Sequence, residues 1–208
     1  MLRRWIGPLV TLIIVGGVGA ILLLNLEIPK RRSPSFFGPS PADVSQQQPV
    51  LKAGFREYPI GAAAEHNHMR IAAVWLPSVE VEGLNVKMGS DVIHLEADIH
   101  ATEGNPNGFA LGEFVPYLKI SYRIVPGDGG NPLEGKMMPM VASDGPHYGA
   151  SLSLPKAGKY RLTYHIDPPS AGGLGRHHDP ITGVAPWWEP FEVSFDWDYH
   201  GPIVSNER

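Results

Sequence analysis

From about residue 53 onward the apolar positions come in short runs: MRIAAVWL (69–76), DVIHLEADIHA (91–101), VPYLKISYRIV (115–125), GKMMPMV (135–141), YGASLSL (148–154), GKYRLTYHI (158–166) and PFEVSFDWDY (190–199). KYRLTYHI and FEVSFDWDY alternate apolar with polar residues, the period of a strand with one buried face. MRIAAVWL is apolar at nearly every position and reads as a strand buried on both faces. Gly, Pro or Asn interrupts each run before it reaches helical length. Seven such runs without an amphipathic helix predict an all-β domain, an antiparallel sandwich.

The start of the chain has a different pattern. From Trp5 to Leu26 no residue is charged, and as a helix this run would cross about 30 Å of hydrocarbon. A secretory signal and a signal anchor both fit. The length, and the lack of a small-x-small site after Leu24, point to an uncleaved transmembrane anchor over residues 1–26. Arg3 and Arg4 before the span are offset by Lys30, Arg31 and Arg32 after it, so charge alone does not orient it. Residues 27–52, dominated by Pro, Ser and Gln, read as a semi-extended linker to a domain over 53–208.

Composition narrows the chemistry. With 17 basic against 21 acidic residues, the chain has no basic footprint for a phosphate backbone, so nucleic acid is not an expected partner. It contains no cysteine, which excludes disulfides, thiolate zinc sites and thiol catalysis. No nucleophile elbow, P-loop, zincin helix or dinucleotide fingerprint occurs. Nine His, six Met and the carboxylates remain for metal chemistry.

In VIHLEADIHA the odd positions Ile93, Leu95, Ala97 and Ile99 form an apolar face, and His94, Glu96, Asp98 and His100 the other, expected to look outward. Same-face neighbours on a strand lie about 6.7 Å apart and the ends of a row of four about 20 Å apart. Metal bonds to N or O are only about 2.0–2.2 Å, so one ion cannot take all four. Adjacent members such as His94 and Glu96 can converge, leaving Asp98 and His100 to supporting roles. Further donors must come from elsewhere. In MMPMVASDGPHYG (137–149) a turn over Ser143–Pro146 brings Met140 and His147 to one rim, while Met137 and Met138 read as core filler. In GGLGRHHDPITG (172–183) His177 and His178 stand side by side in a Gly-rich loop, with Arg176 and Asp179 as a pinning ion pair. His with Met suits copper; His with carboxylate suits ferrous, manganous or zinc ions.

HLEADIHA, NGF (107–109), PYL (116–118), MPMVASDGPHYGA, GKY (158–160), GRHHDPITGV and WWEPFEVSF, in this order from residue 55 onward, resemble the periplasmic iron-uptake proteins of the P19 and Tp34 type. That resemblance implies an immunoglobulin-like β-sandwich, a homodimer, copper binding, and support of iron uptake beside an Ftr1-type permease. Carried over residue by residue, the family's copper ligands fall on His94, Met140, His147 and His177, with His178 a possible substitute. Glu96 matches an acidic residue tied to a second metal position, and Asp144 lies where an acidic contributor is expected. The chain departs from the family in its membrane span, and in Val81-Glu82-Gly83, which lacks a family Met. EHNHM (65–69) is an addition suggestive of extra metal capture.

The leading expectation is therefore a membrane-tethered periplasmic protein that binds copper and iron and hands iron to a permease. Its affinity should fall as pH drops through about 6.5, where imidazoles ordinarily protonate. A copper oxidoreductase acting on iron, and a structural sandwich without metal function, are the alternatives.

Overall fold

The computed structural model describes residues 56–85 and 88–202; the expected span and linker, and the first residues of the expected domain, lie outside this range. Among the described residues ten strands form two antiparallel sheets. They are β1 (Tyr58–Pro59), β2 (Ala64–His66), β3 (Met69–Pro77), β4 (Val92–Ala101), β5 (Lys119–Pro126), β6 (Leu133–Lys136), β7 (Met138–Ala142), β8 (Gly145–Ser153), β9 (Gly158–Asp167) and β10 (Phe191–Tyr199). One sheet runs β1-β3-β4-β8-β7 with β2 also paired to β3, and the other β10-β9-β5-β6. The described residues contain no α-helix, only a short 3-10 turn at Pro169–Gly172. The all-β sandwich is as the strand pattern predicts.

Alternation decides the strands of the second sheet. β10 turns Val193, Phe195, Trp197 and Tyr199 inward and leaves Glu192, Ser194, Asp196 and Asp198 exposed. A charged outer row also suits an edge strand, because it discourages pairing with another chain. From β9 come Leu162, Tyr164 and Ile166, and from β5 Ile120, Tyr122 and Ile124. They meet Ile71, Trp75, Leu95 and Ile99 of the first sheet in one core. Tyr164 ties the layers by donating its hydroxyl hydrogen to the Glu96 carbonyl at 2.8 Å.

Three segments differ from expectation. The run 115–125 becomes strand only from Lys119: Val115 and Leu118 are held by the Tyr148 hydroxyl, which donates to the Val115 carbonyl and accepts from the Leu118 amide. Between them Tyr117 has φ 64°, outside any strand conformation. GKMMPMV splits in two, because Lys136 ends β6 of one sheet and Met138 begins β7 of the other. Met137 is the crossover; it is buried, and its amide donates to Ile120. Met138, expected as core filler, is instead 42% exposed on the edge strand. EHNHM is a hairpin turn: His66 pairs with Met69, and Asn67 and His68 both take positive φ, 50° and 55°, as a two-residue I′ connection requires. The His66 ring stacks on Phe191 at 4.1 Å, which gives it a packing role.

The largest correction concerns β4. Its even face was expected to meet solvent, yet His94 is 1% and Glu96 3% exposed. β4 is an inner strand, flanked by β3 and β8. Leu76 and Val74, opposite His94 and Glu96 on β3, are buried as well. Asp98 and His100, further along, are only half-buried.

Candidate metal centre

The register of three strands assembles the site. Glu96 on β4 pairs with Gly149 on β8, His94 with Ser151, and on the next strand Met140 pairs with His147. Because side chains alternate, His94 and Glu96 share one face with His147, Gly149 and Ser151 of β8 and with Met138 and Met140 of β7. The two-residue turn Ser143–Asp144 between β7 and β8 folds Met140 back beside His147, as the turn residues predict.

Gly149 is what allows these groups to meet. A Cβ there would lie 2.7 Å from His94 Nε2 and 2.8 Å from Met140 Sδ, closer than non-bonded atoms tolerate. The imidazole nitrogen and the thioether sulfur thus converge over one backbone position. Glu96 Oε1 stands 3.5 Å from His94 Nε2 and 3.3 Å from His147 Nε2, and the two imidazoles meet edge to face at 5.9 Å. His94, Glu96 and His147 are the group of three donors close enough to hold one ion among the described residues.

The remaining ring nitrogens are tied down. His94 Nδ1 lies 3.2 Å from Ser151 Oγ, and His147 hydrogen-bonds the Gly145 backbone. Such contacts orient a ligating imidazole. His147 Nε2, by contrast, is buried without a hydrogen-bond partner, despite its nearness to Glu96. An orphaned buried nitrogen is costly unless something binds it, and a metal ion fits this donor set.

Burial governs the charges. Desolvation, with the neighbouring His147, holds His94 down to about 4, and desolvation lowers His147 too. Both imidazoles are therefore neutral at neutral pH, the ligating form. Glu96 is pushed far up by burial and then by Glu57 and Asp98. Glu57 is pushed up by burial and a hydrogen bond with Asp144. Asp98 rises to about 6, from burial and Asp144 against the opposing pull of Arg70. The carboxylates crowd one side of the imidazoles, and a cation would relieve their repulsion.

Five of the six residues singled out in the sequence are thus neighbours. Asp144 does not enter the tight group but acts electrostatically on Glu57, Glu96 and Asp98, and its Oδ1 is buried and unpartnered. His177 lies elsewhere, in an exposed loop with Nδ1 2.8 Å from Thr182 Oγ1. That loop is pinned, but not by the expected ion pair. Arg176 donates to the Val184 carbonyl, and Asp179 caps the amides of Ile181 and Thr182. Gly149, Ser151 and Glu57 escaped the sequence reading. The alternation His147-x-Gly149-x-Ser151 offered a signal for the first two; Glu57, just before a two-residue strand, offered none.

Residues 54–201 match the family described as Fe2+ transport protein. The chain belongs to that family. FetP of a uropathogenic Escherichia coli strain is 51% identical, covering 72% of this chain and all of that one, with a TM-score of 0.69. The copper-reconstituted P19 protein of Campylobacter jejuni is 44% identical over 72% of this chain and all of its own, also with a TM-score of 0.69. The 34 kDa membrane antigen of Treponema pallidum is 35% identical over 159 residues, 72% of this chain and 78% of the antigen. The family resemblance read from the motifs holds.

Proposed function

We propose that this chain is a periplasmic metal-binding protein that takes copper at His94, Met140 and His147, beside Glu96, and supports iron uptake. One observation carries this reading: two buried neutral imidazoles and a thioether converge around Gly149, with His147 Nε2 unpartnered. Imidazole with thioether favours copper, and the thioether favours copper(I) in particular. The copper held by the similar P19 protein supports the choice of metal. Glu96, with Glu57 and Asp144 beside it, makes a harder, oxygen-rich flank suited to ferrous iron.

The reading extends to a homodimer anchored by residues 1–26 and passing iron to an Ftr1-type permease. His177, exposed on a braced loop, is then a ligand offered to the site of a second copy. The mechanism is capture and release: neutral imidazoles need lose no proton on binding, whereas Glu96 gives one up as a cation arrives.

Copper(I) titration of the full chain in detergent, in competition with a chromophoric chelator, tests the site. One tight copper per chain is expected, with affinity reduced at least about tenfold in His94→Ala and in Met140→Leu. Undiminished binding in both variants would overturn the assignment.

A further inference from the structure

The row on β4 ends beside a positive charge. Arg70 on β3 stands directly across from His100, and Ala72 across from Asp98, so Arg70 shares the face that carries His94, Glu96, Asp98 and His100. No other residue of β3 on that face is charged: the rest are Ala72, Val74 and Leu76. Arg70, Asp98, His100, Asp144 and His147 line one cavity of about 180 Å³. At ~30 Å³ per water that is room for a cation with much of its hydration shell. Two of these residues carry buried polar atoms without partners, His147 Nε2 and Asp144 Oδ1, and His147 is 4% exposed. The cavity wall thus includes both Arg70 and His147, one of the donors described above.

Acidic groups outnumber basic ones around this cavity. Asp98 and Asp144 line it, Glu57 and Glu96 lie within their electrostatic reach, and among the described residues Arg70 is the one Lys or Arg on its wall. Arg70 acts on Asp98 and on His100, while its own side chain is exposed and long. A cation on a flexible tether beside a carboxylate cluster occupies the field that a metal ion would otherwise fill. A divalent ion feels twice the repulsion that a monovalent ion feels at the same distance.

We propose that Arg70 is a tethered competing cation that weakens the hold of the carboxylate flank on divalent metals and so biases the centre towards copper(I). The inference rests on the metal-binding reading above. Its consequence is selectivity: the oxygen-rich flank exchanges its ion readily, while the imidazole and thioether donors, not paired with Arg70, keep theirs.

A charge series at this position tests it. Manganese(II), a redox-inert hard cation, is titrated into the purified full chain in detergent and free ion is read by electron paramagnetic resonance. Silver(I) is titrated separately as the soft probe. Arg70→Lys should stay within about twofold of the parent, and Arg70→Gln should bind manganese about tenfold more tightly, the scale of a unit charge some 6–7 Å from a dication in a water-like dielectric. Arg70→Glu should bind it more tightly still. Silver affinity should move about threefold or less in Arg70→Gln and about tenfold or less in Arg70→Glu, each well short of the change for manganese. Thermal melts should not follow the charge, since Arg70 is exposed. The proposal is overturned if Lys and Gln variants behave alike, or if silver gains as much as manganese. Equal manganese binding by parent and Gln variant removes the role of Arg70 but leaves the metal centre standing; no binding of either ion by any form removes both.

Discussion

His147 Nε2 lies 3.3 Å from Glu96 Oε1 and yet makes no hydrogen bond with it. Two polar groups buried this deeply and left misaligned describe a pair arranged around a third partner. Between them and His94, a cation can be held by groups that are costly to bury without one.

The gap at Gly149 gives the sharpest mutational expectation. Gly149→Ala places a methyl group on the line of approach of both His94 Nε2 and Met140 Sδ. Overpacking of this kind costs about 1–3 kcal/mol. Copper(I) affinity should fall by roughly tenfold or more, and the melting temperature of the metal-free protein should drop. Unchanged affinity in a chelator competition would show that those atoms do not converge on the ion.

Ser151 acts on the metal through His94. Removing its hydroxyl frees the ring that it holds through Nδ1, and orienting partners of this type are worth about tenfold or more in metal affinity. Ser151→Ala should weaken copper binding by about tenfold with little change in stability, as measured by parallel titration and melting; Ser151→Thr should retain the effect of the hydroxyl.

Metal binding should tolerate more acid than the reference imidazole suggests. With His94 held down to about 4 and His147 lowered as well, protons compete for these nitrogens less than at a free imidazole. Silver(I) affinity should change by about threefold or less between pH 7 and 5.5 and fall further down, in contrast to the loss near 6.5 expected from the sequence. A tenfold loss per pH unit beginning at 6.5 would contradict the burial argument.

Glu96 makes the metal-free fold sensitive to base. Its folded-state value is raised, so the fold retains a proton that the unfolded chain releases near 4.3. Stability from this group is full below that value and is lost as pH rises. The lowered histidines act oppositely, because between about 4 and 6.5 the unfolded chain takes up protons that His94 refuses. Glu96→Gln should therefore stabilise the metal-free protein at pH 8, on the order of 2 kcal/mol, with the gain shrinking towards pH 5. Denaturant midpoints across pH would show it. The same variant should weaken manganese binding more than silver binding.

Much of this molecule was legible from alternation. β9 and β10 could be read directly, because period two and a single buried face are local properties. The pairing of Met140 with His147 was legible for a related reason: a two-residue turn sets the register of its own hairpin. The row on β4 showed its side-chain faces but not their surroundings. Local pattern cannot say whether a polar face meets water or protein, and His94 and Glu96 are buried because β4 became an inner strand with β3 and β8 beside it.

The sequence by itself thus determined the strands, the faces on which the donors stand, and the family to which the motifs belong. Tertiary structure alone decided what surrounds those donors: Gly149 opposite Glu96, Ser151 behind His94, Glu57 and Asp144 within reach, Arg70 across from His100, and His177 apart from them in its own loop. The physical reason is that strand order and desolvation are non-local. An imidazole becomes a neutral, oriented ligand only when strands distant in the chain exclude water around it.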